Sequence, residues 1–296
     1  MSKSKILKGY IFAVISAVIY GCMPLMAKYI YADGVSPFSL VFFRNFFALP
    51  ALAILAFVQC KTLKVPLKEI PKMSIIAILG CCLTPILLFS SYRFIDSGTA
   101  TVFHFVYPAL VVLAGFLFFR QKVPKGNLIS IIVCIAGILL FFSPGQKLDA
   151  VGVACALTSG LAYAMYVLLL SGFSERKTTG YLFCFYVAAI SSVVMFVICM
   201  LSGEMTLPST TKGWLLCLLF AMAVTVGAVA LFQQSAFIIG GQKTSILSTL
   251  EPITGVIVGA IVFSEKITLR SAIGSVLVIS ASILIAVFDM RAGKKS

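Results

Sequence analysis

The sequence predicts an all-α integral membrane protein with ten transmembrane helices arranged as two inverted five-helix repeats. Three observations carry this expectation: the composition, the spacing of apolar windows, and an internal offset of about 144 residues. Of 296 residues, 61% are hydrophobic and 11% charged, and the mean hydropathy is +1.12. An average soluble domain is about 45–50% apolar and about 25% charged. Here 23 basic and 9 acidic side chains are too few to coat a soluble globule of this size. The same arithmetic excludes a disordered chain, collagen and a coiled coil.

A hydrocarbon core of about 30 Å takes roughly 20 apolar residues per crossing helix. Windows of that length place the first five spans near 7–30, 36–58, 73–92, 97–119 and 127–143. The second five fall near 150–171, 180–201, 213–238, 243–264 and 269–289. The first span follows Lys3, Lys5 and Lys8 and could imitate a secretory signal. It is too long for one, and no small-x-small site precedes Lys28, so an uncleaved helix is predicted. No connection is large enough for a soluble domain. The nine cysteines show no CxxC pair and read as small packing residues, not as a disulfide frame or a zinc site.

The net charge of +14 would suggest nucleic-acid binding in a soluble chain; here its distribution reads as topology. Alternate connections and both termini hold 16 basic residues, among them Lys61, Lys64, Lys68, Lys72, Arg120, Lys122 and Lys125. The opposite side holds Lys28, Arg93, Lys147, Lys212, Lys266 and Arg270. The positive-inside rule therefore predicts two cytoplasmic termini, in keeping with an even number of spans. A basic face against anionic headgroups follows.

The two sets of spans share their punctuation. A shift of 144 lays Ser97–Phe119 on Gly241–Phe263, with Pro108 on Pro252, Gly115 on Gly259 and Phe119 on Phe263. A shift of 143 lays Ser16 and Tyr20 on Ser159 and Tyr163. We divide the chain at 146/147 on this basis. Five spans per repeat give the halves opposite orientations, a common transporter architecture with the substrate near the midplane.

The stretches "GTATVFHFVYPALVVLAGFLFFRQKV" and "KTSILSTLEPITGVIVGAIVFSEKIT" resemble the paired signatures of the drug/metabolite transporter superfamily. Its ten-helix EamA-type members are the most similar, and "LEP" followed by an apolar run and "SEKIT" is the most specific part. The resemblance covers essentially the whole chain. It implies a polar central cavity lined by the first four helices of each repeat, with the fifth and tenth helices to one side. The first half departs from the second in having Tyr107 where the second has Glu251.

Glu251 sits about eight residues, or roughly 12 Å, inside the ninth span. An ionised carboxylate at that depth is costly unless it meets water or a partner, so it is predicted to face a cavity. It could couple protons or anchor a cationic group; a structural hydrogen bond to a neighbouring helix is the alternative. Pro108 and Pro252 each remove a helical N–H bond and displace the carbonyl four residues earlier, on His104 and Ser248. Freed carbonyls in lipid need partners, so both are expected to face protein or water. The prolines bend their helices, either for function or only for packing.

His104 is the single histidine, and Thr101 and Tyr107 share its helical face. It could pass a proton, hydrogen-bond a substrate or be a satisfied core residue. Arg44 lies too deep in the second span to snorkel. It could pair with Glu251 or hold a substrate carboxylate or phosphate. Tyr20, Tyr163, Ser90, Ser91, Tyr92, Gln233 and Gln234 form a softer polar set. Gly255 and Gly259 make a GxxxG groove that suits packing within the bundle. No HExxH, GxSxG or phosphate-loop pattern appears, so no catalytic residue, metal or cofactor is assigned.

These readings lead to a secondary active transporter of a small polar metabolite, working by alternating access. An amino acid or organic amine is favoured, with protons as a possible coupling partner and no nucleic acid. The expected location is the plasma (bacterial inner) membrane. A facilitative exchanger, a nucleotide-sugar-type carrier and a non-transporting receptor are the alternatives. A membrane-embedded enzyme would need clustered catalytic groups that the chain lacks.

Overall fold

A computed structural model describes residues 3–107, 109–111, 129, 132, 133, 135–137, 140, 149–173, 178, 180–240, 244, 247, 248, 250–263 and 268–292. Among them the secondary structure is helical, with no strand. Most of the fifth predicted span falls outside these residues, as do Pro108 and the rest of the fourth span beyond 111.

Nine helices are named here: α1 (Lys3–Ala32), α2 (Pro37–Cys60), α3 (Leu67–Ser91), α4 (Ser97–His104), α5 (Ala150–Phe173), α6 (Tyr181–Ser202), α7 (Thr211–Ile239), α8 (Leu250–Phe263) and α9 (Leu269–Ala292). Six of them, α1, α2, α3, α5, α6 and α7, are long and apolar enough to cross a membrane. The helix α3 begins at Leu67, six residues before its predicted span. Pro71 lies in its opening turn, where a missing N–H costs nothing, and Glu69 complements the helix dipole there.

Interior breaks shape these helices. Pro24 lies inside α1 and frees the Tyr20 carbonyl. Helix α2 is interrupted after Phe46 and resumes at Leu49 with Pro50 in its first turn, directly beyond Arg44 and Asn45. Helices α3 and α7 each widen into a π segment, Ala77–Leu83 and Ala221–Val229. The starts of α2 and α6, of α3 and α7, and of the two π segments are each separated by 144 residues.

Packing crosses between the halves of the chain. Helix α1 packs on α7 and α8, whereas α5 packs on α3 and α4. Helices α2 and α6 lie against each other. The crossings are close where glycine permits. A Cβ on Gly21 would overlap the Thr254 side chain and stand 2.8 Å from the Glu251 carbonyl oxygen. A Cβ on Gly160 would stand 2.6 Å from the carbonyl oxygen of His104. That carbonyl is one of the two that the prolines were expected to free, and it faces protein. The other, on Ser248, accepts from the Glu251 N–H at 2.9 Å.

The connections are knitted together at both ends. On one face Ser36 and Ser39 donate to the Glu204 carbonyl, and Thr206 N–H donates to Ser39 Oγ at 2.7 Å. Asp33 accepts from the N–H and hydroxyl of Thr210, the residue that caps α7, at 3.2 and 2.8 Å. On the opposite face Gln59 Oε1 accepts from Tyr181 N–H at 2.8 Å, and Tyr186 OH donates to the Leu63 carbonyl. Asp33→Ala is expected to cost about 1 kcal/mol, the usual net value of a lost hydrogen bond. Thermal unfolding in detergent checks this, and an unchanged midpoint would remove the carboxylate from the account of this face.

Candidate functional site

A cavity opens between the crossed helices, with about 380 Å³ of space not filled by atoms once the open solvent at its mouth is included. Its polar lining is Arg44 from α2, Thr84 from α3, His104 from α4 and Glu251 from α8. Tyr20 and Met23 of α1, Tyr163 of α5, and Gly80, Pro85 and Leu88 of α3 complete it. Met23 and Leu88 place the cavity toward the face that carries the 33–36 connection.

Arg44 is held from below by α3. In a π segment the backbone pairs over five residues, so carbonyls turn outward to other partners. The Cys81 carbonyl accepts from Arg44 Nη2 and from Asn45 Nδ2, both at 3.5 Å. Asn45 Nδ2 also donates to Val41 O at 2.8 Å. The guanidinium lies 5.9 Å from the Phe89 ring centroid, within cation–π range. Its Nε is buried without a hydrogen-bond partner.

Glu251 is 8% exposed and Arg44 3%. Both line the cavity, yet no ion pair joins them within 4.0 Å. Of the two roles open to Arg44, the pairing with Glu251 is not formed in this conformation. The cavity therefore presents a guanidinium and a carboxyl group that are not paired with each other.

His104 Nδ1 lies 2.8 Å from Ser159 Oγ, and that hydroxyl donates its own proton to the Ala156 carbonyl at 2.7 Å. Ser159 must then accept from Nδ1–H, which leaves Nε2 of a neutral ring as an acceptor. The ring lies tilted against Tyr163 at 5.3 Å and Tyr107 at 5.8 Å between centroids.

The structure thus brings Glu251, Arg44, His104, Tyr20 and Tyr163 to one cavity. Tyr107 is fully buried and meets Tyr163 edge-on at 4.7 Å, behind the cavity wall. Thr101, Ser91 and Ser248 return their hydroxyls to their own helices, on Ser97 O, Leu88 O and Thr244 O. Gln234 Nε2 reaches Cys184 Sγ at 4.0 Å. Pro252 lies in α8 directly after Glu251, and its side chain, like all of Pro108, falls outside the described atoms.

Met23, Gly80, Thr84, Pro85 and Leu88 were not anticipated. One signal was available: Pro24 and Pro85 are interior prolines of the kind that drew attention to Pro108 and Pro252. Gly80, Thr84 and Leu88 face the cavity in and just beyond the stretch where α3 turns wide, and Met23 faces it from α1. Among the described residues, no group of three His, Cys, Asp or Glu is placed to hold a metal ion.

The sequence profile of the EamA-like transporter family matches the chain twice, over residues 7–143 and 150–287. An uncharacterized transporter of Clostridium kluyveri is 22% identical over 94% of this chain and 92% of its own length. An uncharacterized inner membrane transporter of Salmonella typhimurium, YicL, is 25% identical over 96% of this chain and 97% of its own. A crystal structure sharing 14% identity superposes with a TM-score of 0.67 over 99% of both chains, which extends the likeness to the fold. The chain is an integral membrane protein that belongs to the EamA-like transporter family of the drug/metabolite transporter superfamily.

Proposed function

We propose that this chain is a secondary active transporter of a small zwitterion, an amino acid above all, moved through the central cavity by alternating access. The observation that supports it best is the separation of Arg44 and Glu251 on one cavity wall. A guanidinium and a carboxyl group that do not pair with each other match a ligand carrying both signs. Arg44 would take the carboxylate through its forked donors and Glu251 the ammonium. A simple organic amine is the second reading; it needs Glu251 and the tyrosines but leaves Arg44 without a task. A nucleotide-sugar-type carrier would want more basic groups at this depth than Arg44.

In this reading residues 1–146 and 147–296 are inverted repeats, both termini are cytoplasmic, and the 33–36 connection is outside. The cavity then faces outward in this conformation. Glu251 also carries the coupling proton, so that proton and ammonium compete for one carboxylate.

Thermal-shift screening of the purified protein against a metabolite library tests the substrate class. A ligand at 100 times its Kd stabilises the folded state by about 2.7 kcal/mol. Arg44→Gln is expected to weaken amino-acid binding by about 1.5–3 kcal/mol, or about 10- to 150-fold, the range for charge-assisted hydrogen bonds. It should leave binding of a simple amine unchanged. Stabilisation by amines alone, indifferent to Arg44, would transfer the assignment to the second reading.

A further inference from the structure

The cavity ends, on the side away from the 33–36 connection, at a floor of aromatic rings. Tyr163 lies 5.3 Å from Tyr166 and 5.8 Å from Phe232, and Tyr166 stacks on Phe232 at 6.3 Å. The Tyr166 ring sits directly on Gly80, in the π segment of α3, where a Cβ would overlap it. One hydrogen bond holds it there from outside the ring stack: Gln233 Nε2 donates to Tyr166 OH at 3.1 Å. Gln233 is fully buried, and its Oε1 has no partner.

The 144-residue offset shows what this floor covers. Thr84, Pro85 and Leu88 line the open cavity, and their counterparts on α7 are Ala228, Val229 and Phe232. Both triplets are buried, and Phe232 itself belongs to the aromatic floor. The α3 stretch faces the cavity, whereas Phe232 of the α7 stretch packs into the floor beneath it. Inverted repeats exchange such conformations when access switches.

We infer that the inner half of the translocation path runs along α7 past Ala228, Val229 and Phe232, closed by Tyr166 and latched by Gln233. This rests on the alternating-access reading above. The path differs from the outer one in charge: the counterpart of Arg44 is Ala188 and that of Glu251 is Tyr107. The charged pair is therefore a single central station, and substrate leaving inward meets uncharged groups. Breaking the latch frees the Tyr166 ring to leave Gly80 and shifts the population toward the inward-open state.

The test uses the full chain with its nine cysteines replaced, carrying either Leu88→Cys as an outer reporter or Val229→Cys as an inner one. Alkylation of each by a polar maleimide is timed in nanodiscs, with amino-acid flux measured on the same proteins in proteoliposomes. Tyr166→Phe removes only the hydroxyl that Gln233 holds. It is expected to speed modification at position 229 about 2- to 10-fold, the shift one neutral hydrogen bond commands, and to slow it at position 88. Gln233→Leu should do the same, and the double variant no more than either single one. A loosened fold would instead speed both positions together. An inert cysteine at 229 in a protein that transports, or rates indifferent to Tyr166→Phe, would overturn the latch and leave the transport reading standing. Opposed rate changes without flux of any amino acid would uphold the latch and sink the substrate assignment.

Discussion

Replacing Glu251 by Gln is expected to abolish substrate accumulation driven by a pH gradient while leaving a folded protein. With one proton carried per substrate, each pH unit sustains about 1.4 kcal/mol, or about tenfold accumulation. The variant should fall to simple equilibration. Glutamine keeps the size of the side chain and brings no charge to desolvate at depth, so the melting temperature should not drop. The two readings of Glu251 separate here. A carboxylate that only ties α8 to its neighbours would, when neutralised, leave the pH dependence of flux untouched. Reconstituted protein with a set internal pH and labelled amino acid decides between them, and retained accumulation would falsify the coupling role.

The second large effect concerns Gly21. A methyl group there overlaps the Thr254 side chain and presses on the Glu251 carbonyl oxygen. Neither neighbour can swing aside: one is a β-branched stem on a helix and the other is backbone. Gly21→Ala should therefore force α1 and α8 apart, at about 1–3 kcal/mol, the range for overpacking a close contact. Because Glu251 sits at the crossing, transport should fail with it. Gly255→Ala is the control on the same interface. Among the described residues a Cβ there meets only the Gly21 carbonyl oxygen, at 3.7 Å, which is ordinary contact. Unfolding midpoints and flux of both variants check the contrast, and equal tolerance would show that the crossing is looser than drawn.

Gly21 also marks where sequence reading reaches its limit. The GxxxG pattern directs attention to Gly255 and Gly259, because small residues four apart make a groove on their own helix. The tight contact belongs to a lone glycine on the partner helix. Which glycine is crowded depends on where two helices cross, and one helix alone does not encode that.

The hydroxyls teach the same point. Thr101, Ser91, Ser248 and Tyr20 are all polar groups within apolar spans, and all suited a cavity. In an apolar helix a serine or threonine can satisfy itself on a carbonyl three or four residues back, as the first three do. Tyr20 is too long for that and lines the cavity. Glu251 and Arg44 were legible because a charge has no such local outlet. Thr84 reaches the lining although its hydroxyl bonds back to Leu79 O, because the π turn rotates that stretch of α3 toward the centre.

By itself the sequence determined that the chain lies in a membrane, where the apolar segments run, and that the family signature recurs in both halves. These follow from length, composition and register, all properties of the chain taken in order. Only the tertiary structure decided which polar groups share a cavity, that Arg44 and Glu251 face it without pairing, and that α1 crosses to α7 and α8 while α5 crosses to α3 and α4. Such facts arise from residues 20 to more than 200 positions apart, where helix breaks and π turns set the angle at which each side chain arrives.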